Sequence, residues 1–174
     1  MDEIVKAALK KWPNVPHCYG WLALDARGDW YMRDERIQAA GAFPQLKGSR
    51  INHEKLREFI ERNYAADESG CWFFQNGPQR VYVELEAAPW VWRVDEQLQL
   101  RSHTGLATTA QACWLDERDR LFLGTPLGLG LVHTVDMLWA AQAVEQGLWQ
   151  PQPGTHEALL QRYGVRLRPL PAAA

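Results

Sequence analysis

Cysteine is scarce in this 174-residue chain. Only Cys18, Cys71 and Cys113 occur, widely spaced and odd in number. With no Cys-x-x-Cys, neither a zinc site nor a redox motif is signalled, and no thiol has a neighbour that would lower its pKa. His17-Cys18 offers two metal-ligand types, but no second cluster follows at ligand spacing. The thiols therefore read as structural, and no metal or cofactor is implied. Basic excess is also missing. A net charge of -2 gives no reason to expect nucleic acid, because phosphate-binding domains carry a clear basic surplus. No apolar run approaches membrane-spanning length. Met1-Asp-Glu-Ile-Val-Lys lacks the basic and apolar regions of a signal peptide, so a soluble, cytoplasmic protein without a membrane partner is expected. Catalytic signatures are absent too: there is no Gly-x-Ser-x-Gly, His-Glu-x-x-His or paired-carboxylate pattern. That leans against an enzyme, while leaving open one whose site is assembled without a linear motif.

What the chain does have is core-forming material. Hydrophobic residues make up 47% and charged residues 23%, a globular profile that supports one domain or two small ones sharing a core. Nine tryptophans are many for this length. Large aromatics of this kind fill the core of a small sheet protein, with a few left to contact a ligand.

The stretch Arg80–His103 organises the rest. Val81, Val83 and Leu85 alternate with Tyr82, Glu84 and Glu86, the period of a half-buried strand. Ala87-Ala88-Pro89 reads as a bend, because proline cannot donate to a ladder. Trp90, Trp92 and Val94 share the next apolar face, Asp95-Glu96 forms a turn, and Leu98 and Leu100 resume that face. The result is a β-meander whose dry side carries Val81, Val83, Trp90 and Trp92, and whose wet side carries Tyr82, Glu84, Arg93 and the Arg101–His103 end.

Around it, Asp2–Trp12 reads as an amphipathic helix with a stripe of Ile4, Val5, Ala8, Leu9 and Trp12. Tyr19–Arg33 reads as a hairpin turning at Asp25–Asp29, where Gly28 supplies a positive φ. Asp34–Arg50 reads as an irregular loop or insertion. Asn52–Tyr64 is a helix capped by Asn52, with Leu56, Phe59 and Ile60 inward. Cys71–Gln75 is a strand leading to an Asn76-Gly77 hairpin. A second hairpin spans Cys113–Leu123. A helix capped by Thr134 follows, with Val135, Leu138 and Trp139 as core contacts and a stop at Gly147. Pro151–Gly154 is a linker, Thr155–Tyr163 a last helix, and Pro169–Ala174 a frayed tail.

An internal echo aligns Leu24–Met32 with Leu115–Leu123: both read Leu-Asp-x-Arg-x-x before three apolar residues, and both lead to a helix. It predicts duplication of a hairpin-plus-helix unit. The fold class expected is α+β, an antiparallel β-meander core with packed helices. The division expected is an N-terminal α+β half over residues 1–78, a C-terminal meander-plus-helix half over 79–150, and a linker, short helix and tail over 151–174, all in one compact unit.

Candidate chemistry is thin. Gly124–Gly130 before the Thr134 helix is either a phosphate-holding loop or a plain turn, and it lacks the lysine of a P-loop. His133, Asp136 and His103 are acid–base types without a legible partner. Arg27 and Arg118 occupy matching hairpin positions. They form either local pairs with Asp25 and Asp116 or a duplicated anion site.

The order Asp29-Trp-Tyr, Leu56-Arg-Glu-Phe-Ile, Gly70-Cys-Trp-Phe, Arg80-Val-Tyr-Val and Glu86-Ala-Ala-Pro-Trp-Val resembles the uncharacterised proteobacterial proteins of the domain-of-unknown-function 1285 type, or a sister family. The resemblance spans Trp21–Trp149. It implies a duplicated α+β core, a C-terminal half akin to a pleckstrin-homology fold, and a cleft for a nucleotide-like ligand with a role in signalling. The Asp34–Arg50 insertion and the sequence after Trp149 depart from that pattern. The reading that follows is a non-catalytic sensor or regulatory module for a small, anionic or nucleotide-like ligand held between the two related halves, with Arg27, Trp30, Tyr31, Arg93, Arg101 and His103 as candidate contacts. The alternative is a protein-interaction module using an exposed aromatic patch. A dimer is compatible with either.

Overall fold

The computed structural model describes residues 1–171, which divide into two compact units. Unit 1 takes the chain up to Asp25, then Asp29–Glu86, and regains the segment from Arg166; unit 2 takes Ala26–Gly28 and Ala87–Val165. The frayed tail expected over Pro169–Ala174 lies partly outside the described residues. Among those described, no helix is long and apolar enough to cross a membrane.

Unit 1 is built on a six-stranded sheet. Its strands are β1 (Cys18–Leu24), β2 (Trp30–Met32), β3 (Ser49–Arg50), β4 (Tyr64–Ala66), β5 (Trp72–Asn76) and β6 (Gln79–Leu85), in the spatial order β3-β2-β1-β6-β5-β4. Three helices accompany it: α1 (Glu3–Lys11), α2 (Glu35–Ala40) and α3 (Glu54–Arg62). Unit 2 carries β7 (Trp90–Val94), β8 (Leu100–Ser102), β9 (Ala107–Thr108), β10 (Ala112–Leu115), β11 (Leu121–Thr125), β12 (Gly128–Val132) and β13 (Gln152–Pro153), ordered β13-β10-β11-β12-β7-β8-β9. Its helices are α4 (Met137–Glu145), entered through a single 3-10 turn Thr134–Asp136, and α5 (His156–Arg162). The fold is α+β, with two antiparallel-rich sheets and few helices.

The two sheets have one plan. Apart from the added β13, each unit runs as a three-strand meander, a return, and a second three-strand meander. The first strand of one meander lies parallel to the last strand of the other. The register is shared in part: Leu22 faces Val83 across the parallel pair in unit 1 as Trp92 faces Val132 in unit 2, but β1 bulges between Cys18 and Leu22, so Val81 faces Cys18 where Gly130 faces Trp90. In the antiparallel meanders, Phe74 faces Val81 and Tyr64, while Leu123 faces Gly130 and Cys113. The duplication is therefore present, in a different phase from the echo. The β1–β2 hairpin corresponds to β7–β8, and Leu115 corresponds to Ala66 rather than to Leu24.

The echo arises from turn chemistry. Four hairpins turn in the same way, at Asp25, Asp67, Asp95 and Asp116. In each, the aspartate amide donates to the carbonyl four residues on, and its carboxylate accepts that residue's amide in return. The residue before the closing one is left-handed: Gly28 at φ 83°, Gly70 at 83°, Leu98 at 60° and Asp119 at 58°. A short acceptor that satisfies turn amides is what makes aspartate favourable here. Similar sequence at Leu24 and Leu115 thus reports a repeated turn.

Other expectations shift for local reasons. The Arg80–His103 meander is split, with β6 in unit 1 and β7 and β8 in unit 2, because Ala87-Ala88-Pro89 ends the ladder. Tyr82, expected on a wet face, is buried with Cys71 and Phe73, stacks on Tyr19 at 4.7 Å, and donates to Asp67 Oδ2 at 2.9 Å. Asp34–Arg50 contains α2, whose first turn is capped by Asp34 accepting from the Ile37 amide. The chain after α2 is held by buried Arg33, whose guanidinium donates to the carbonyls of Leu46 and Gly41. The caps of the later helices move too. His53 caps α3 in place of Asn52, and His133 caps the 3-10 turn in place of Thr134, each through Nδ1. Val135 and Leu138 face outward, and α4 buries Ala140 and Ala143 instead. In α1 only Val5 of the expected stripe is buried.

Candidate functional site

The six residues proposed from sequence divide between the units. In unit 1, Trp30 is core: it is buried, meets Tyr64 edge-on at 5.2 Å, and donates from Nε1 to Glu61 at 3.2 Å. Tyr31, beside it on β2, lies under the Lys47 ammonium at 5.5 Å. Lys47 in turn pairs with the buried Asp25 carboxylate at 2.9 Å and with Glu86 at 3.5 Å. Burial works to lower the Lys47 pKa, but the hydrogen bond and charge of Asp25, joined by Glu86, raise it overall. That lysine stays an ammonium and is no nucleophile.

In unit 2, Arg27 is exposed at the tip of the β1–β2 turn. Arg93 and Arg101 face each other across β7 and β8. Arg93 is already engaged, gripping Asp136 through Nε at 2.6 Å and Nη2 at 3.2 Å. The Val94 amide also donates to Asp136 at 3.1 Å. Burial pushes the Asp136 pKa up, but the Arg93 and Val94 hydrogen bonds outweigh it and hold the carboxyl below its ordinary range. His103 accepts from the Val91 amide at Nδ1 and packs beside Trp90 at 5.8 Å. The structure thus brings Arg93, Arg101 and His103 onto neighbouring strands, and gives Arg93 an internal carboxylate where a ligand anion was expected.

The glycine-rich Gly124–Gly130 stretch is the β11–β12 hairpin, so its glycines serve close packing rather than phosphate. A Cβ at Gly124 would collide with the Tyr163 hydroxyl, and one at Gly130 with the Trp92 indole. Burial raises the Cys18 thiol pKa and pushes Cys113 up to about 11, which disfavours the thiolate at both. Among the described residues, no three His, Cys, Asp or Glu side chains gather where they could hold a metal.

An apolar concave site lies elsewhere in unit 1. It is a pocket of about 360 Å³ between α3 and the sheet. Leu22, Val81 and Phe74 supply its strand side, and Leu56, Phe59 and Ile60 its helix side. The helix forms because His53 caps it, Glu54 suits its positive end and Arg62 its negative end. Ile60, fully buried, anchors it to the sheet, worth about 1.5–3 kcal/mol by area. Leu56, one turn earlier on the same side, stays partly exposed and leaves the groove open. Trp21 and Met32 stand partly exposed at its edge, and Asn76 is its polar lining residue. The sequence reading assigned Leu56, Phe59 and Ile60 wholly to core. The strand that matches β1 in the pairing carries Trp92 where β1 carries Leu22, a correspondence that strand pairing shows and the sequence echo does not.

A family model described as "Protein of unknown function (DUF2946)" matches residues 1–170. No curated protein matches the chain. Two solved structures resemble it. A DUF1285 family protein from Silicibacter pomeroyi DSS-3 superposes with a TM-score of 0.51 at 13% identity, over 82% of this chain and 84% of that one. A DUF1285 family protein from Shewanella baltica OS155 gives a TM-score of 0.46 at 15% identity, over 70% of this chain and 91% of that one. The first of these places the chain in the same fold as the family its motif order resembles.

Proposed function

We propose, from the premise that this chain belongs to the family described as "Protein of unknown function (DUF2946)", that it is a non-catalytic cytoplasmic sensor or regulatory module that binds a small apolar ligand in the unit 1 groove. The observation that carries this reading is the groove itself, of ligand size and lined almost wholly by apolar side chains with Asn76 as a polar contact. The polar clusters support it by elimination. The carboxylates of Asp25, Asp116 and Asp136 are each paired with a cation, so none is free to act as a general base. A phosphate-bearing ligand is poorly served by Arg93, which Asp136 already neutralises.

The test is a thermal-shift screen of apolar compounds, including indole and octanoate, against the protein and a Leu56→Trp variant. Leu56 lines the groove at the edge of α3, so a tryptophan there fills the space at little cost to the helix. At least one compound should raise Tm by roughly 2 °C or more in the parent, and the variant should lose that response. No response to any compound at millimolar concentration would sink the reading.

A second reading, a protein-interaction module, is favoured by exposed apolar side chains at and after α4. Val135 and Leu138 are 64% and 72% exposed, and Leu148 is 61% exposed. Scattered apolar residues are normal, but α4 is apolar nearly all round, which is the pattern of a helix that is covered. Sedimentation should then show concentration-dependent assembly that Leu138→Lys abolishes without lowering Tm. A parent that stays monomeric at high micromolar concentration removes self-association as the use of this surface.

A further inference from the structure

We propose that the unit 1 groove takes a planar bicyclic aromatic of the indole class, a step that rests on reading the groove as a ligand site. Unit 2 repeats the strand order of unit 1, pairs Trp92 with Val132 as unit 1 pairs Leu22 with Val83, and fills the corresponding space from within. Trp92 on β7 is fully buried. Its indole lies directly over Gly130 of the neighbouring strand, where a Cβ would meet Nε1 and Cε2. Its N–H donates to the Leu123 carbonyl at 3.0 Å.

The pairing registers match these three positions to Leu22, Val81 and Phe74 of unit 1. All three line the groove. Unit 1 therefore carries a leucine where unit 2 has a built-in indole, on a related three-strand platform whose β1 bulges between Cys18 and Leu22, and a groove is left beside it. A flat bicycle laid across β1, β6 and β5 would repeat the arrangement of Trp92. Its N–H would point toward β5, where Asn76 supplies a polar contact, and its faces would meet Phe59 and Trp21. Met32 at the edge adds a polarisable sulfur suited to an aromatic ring. A linear aliphatic ligand would leave these aromatic walls unmatched.

The experiment titrates indole and octanoate into the intact protein, following Tm and the methyl resonances of Leu22 and Val81. Indole is expected to raise Tm and perturb those methyls, with octanoate binding about tenfold more weakly or not at all. A Leu22→Trp/Val81→Gly variant, which transplants the unit 2 plug, is expected to fold and to lose indole binding by about tenfold or more. The methyl perturbations in the parent decide the matter even if that variant fails to fold. Octanoate binding more tightly than indole overturns the aromatic class while leaving the groove as a ligand site. Indole perturbing methyls away from Leu22 and Val81 overturns the location. Binding of neither overturns both this inference and the function it rests on.

Discussion

Replacing Trp92 with alanine is expected to cost about 3–5 kcal/mol and to lower the melting midpoint of unit 2 by roughly 10 °C or more. Trp92 is the largest side chain of the unit 2 sheet with no exposure at all. Deleting it removes the transfer free energy of the indole and leaves a void over Gly130, where no neighbouring Cβ exists to fill the space. It also strips the Leu123 carbonyl of its indole donor and Trp90 of a ring stacked at 6.1 Å and 17°. Trp21→Ala is the control, since that ring is partly exposed and a change of under about 1 kcal/mol is expected there. Urea unfolding measures both, with amide exchange assigning the loss to β7, β11 and β12. A Trp92→Ala cost below about 1 kcal/mol would falsify the assignment of this residue as the unit 2 plug.

The same residue shows why part of the fold was legible and part was not. Strand periodicity marked Trp90 and Trp92 as buried because alternation is a local property of the chain. The hairpin turns at Asp25 and Asp116 were legible for the same reason: the acceptor, the left-handed position and the flanking strands all lie within a few residues. The phase of the duplication was not legible. The strongest local likeness, Leu24 with Leu115, is between hairpins that are not equivalent, since turn chemistry recurs at four places. True equivalence lies in which strands pair, a non-local property. The groove was hidden for a related reason. Leu56, Phe59 and Ile60 fall on one helical stripe, yet only Ile60 reaches full burial, and how far a stripe is covered depends on the opposing side chain, here Leu22. Among the candidate contacts, the engagement of Arg93 depended on Asp136, far along the chain, and Trp30 was claimed by Glu61 and Tyr64.

Asp116→Ala is expected to destabilise the protein by about 3 kcal/mol at neutral pH, with the deficit narrowing in acid. Its carboxylate is buried and accepts from the Arg118 amide at 3.0 Å, the Arg120 amide at 2.8 Å and Arg120 Nε at 2.8 Å. Burial by itself pushes this pKa up, but the Arg120 side chain and the two turn amides outweigh it and hold the group below its ordinary value of 3.8. A depressed folded pKa means that the stabilisation is fully present above the unfolded value and is lost as pH falls through the folded one. The gap between parent and variant should therefore be constant from about pH 5 to 8 and shrink below about pH 4. Asp95→Ala, at an exposed copy of the same turn, separates turn geometry from burial and should cost under about 1 kcal/mol. Urea midpoints at pH 7 and pH 3 read both variants. A gap for Asp116→Ala that is as wide at pH 3 as at pH 7 would show that its hydrogen bonds do not depend on the charged carboxylate.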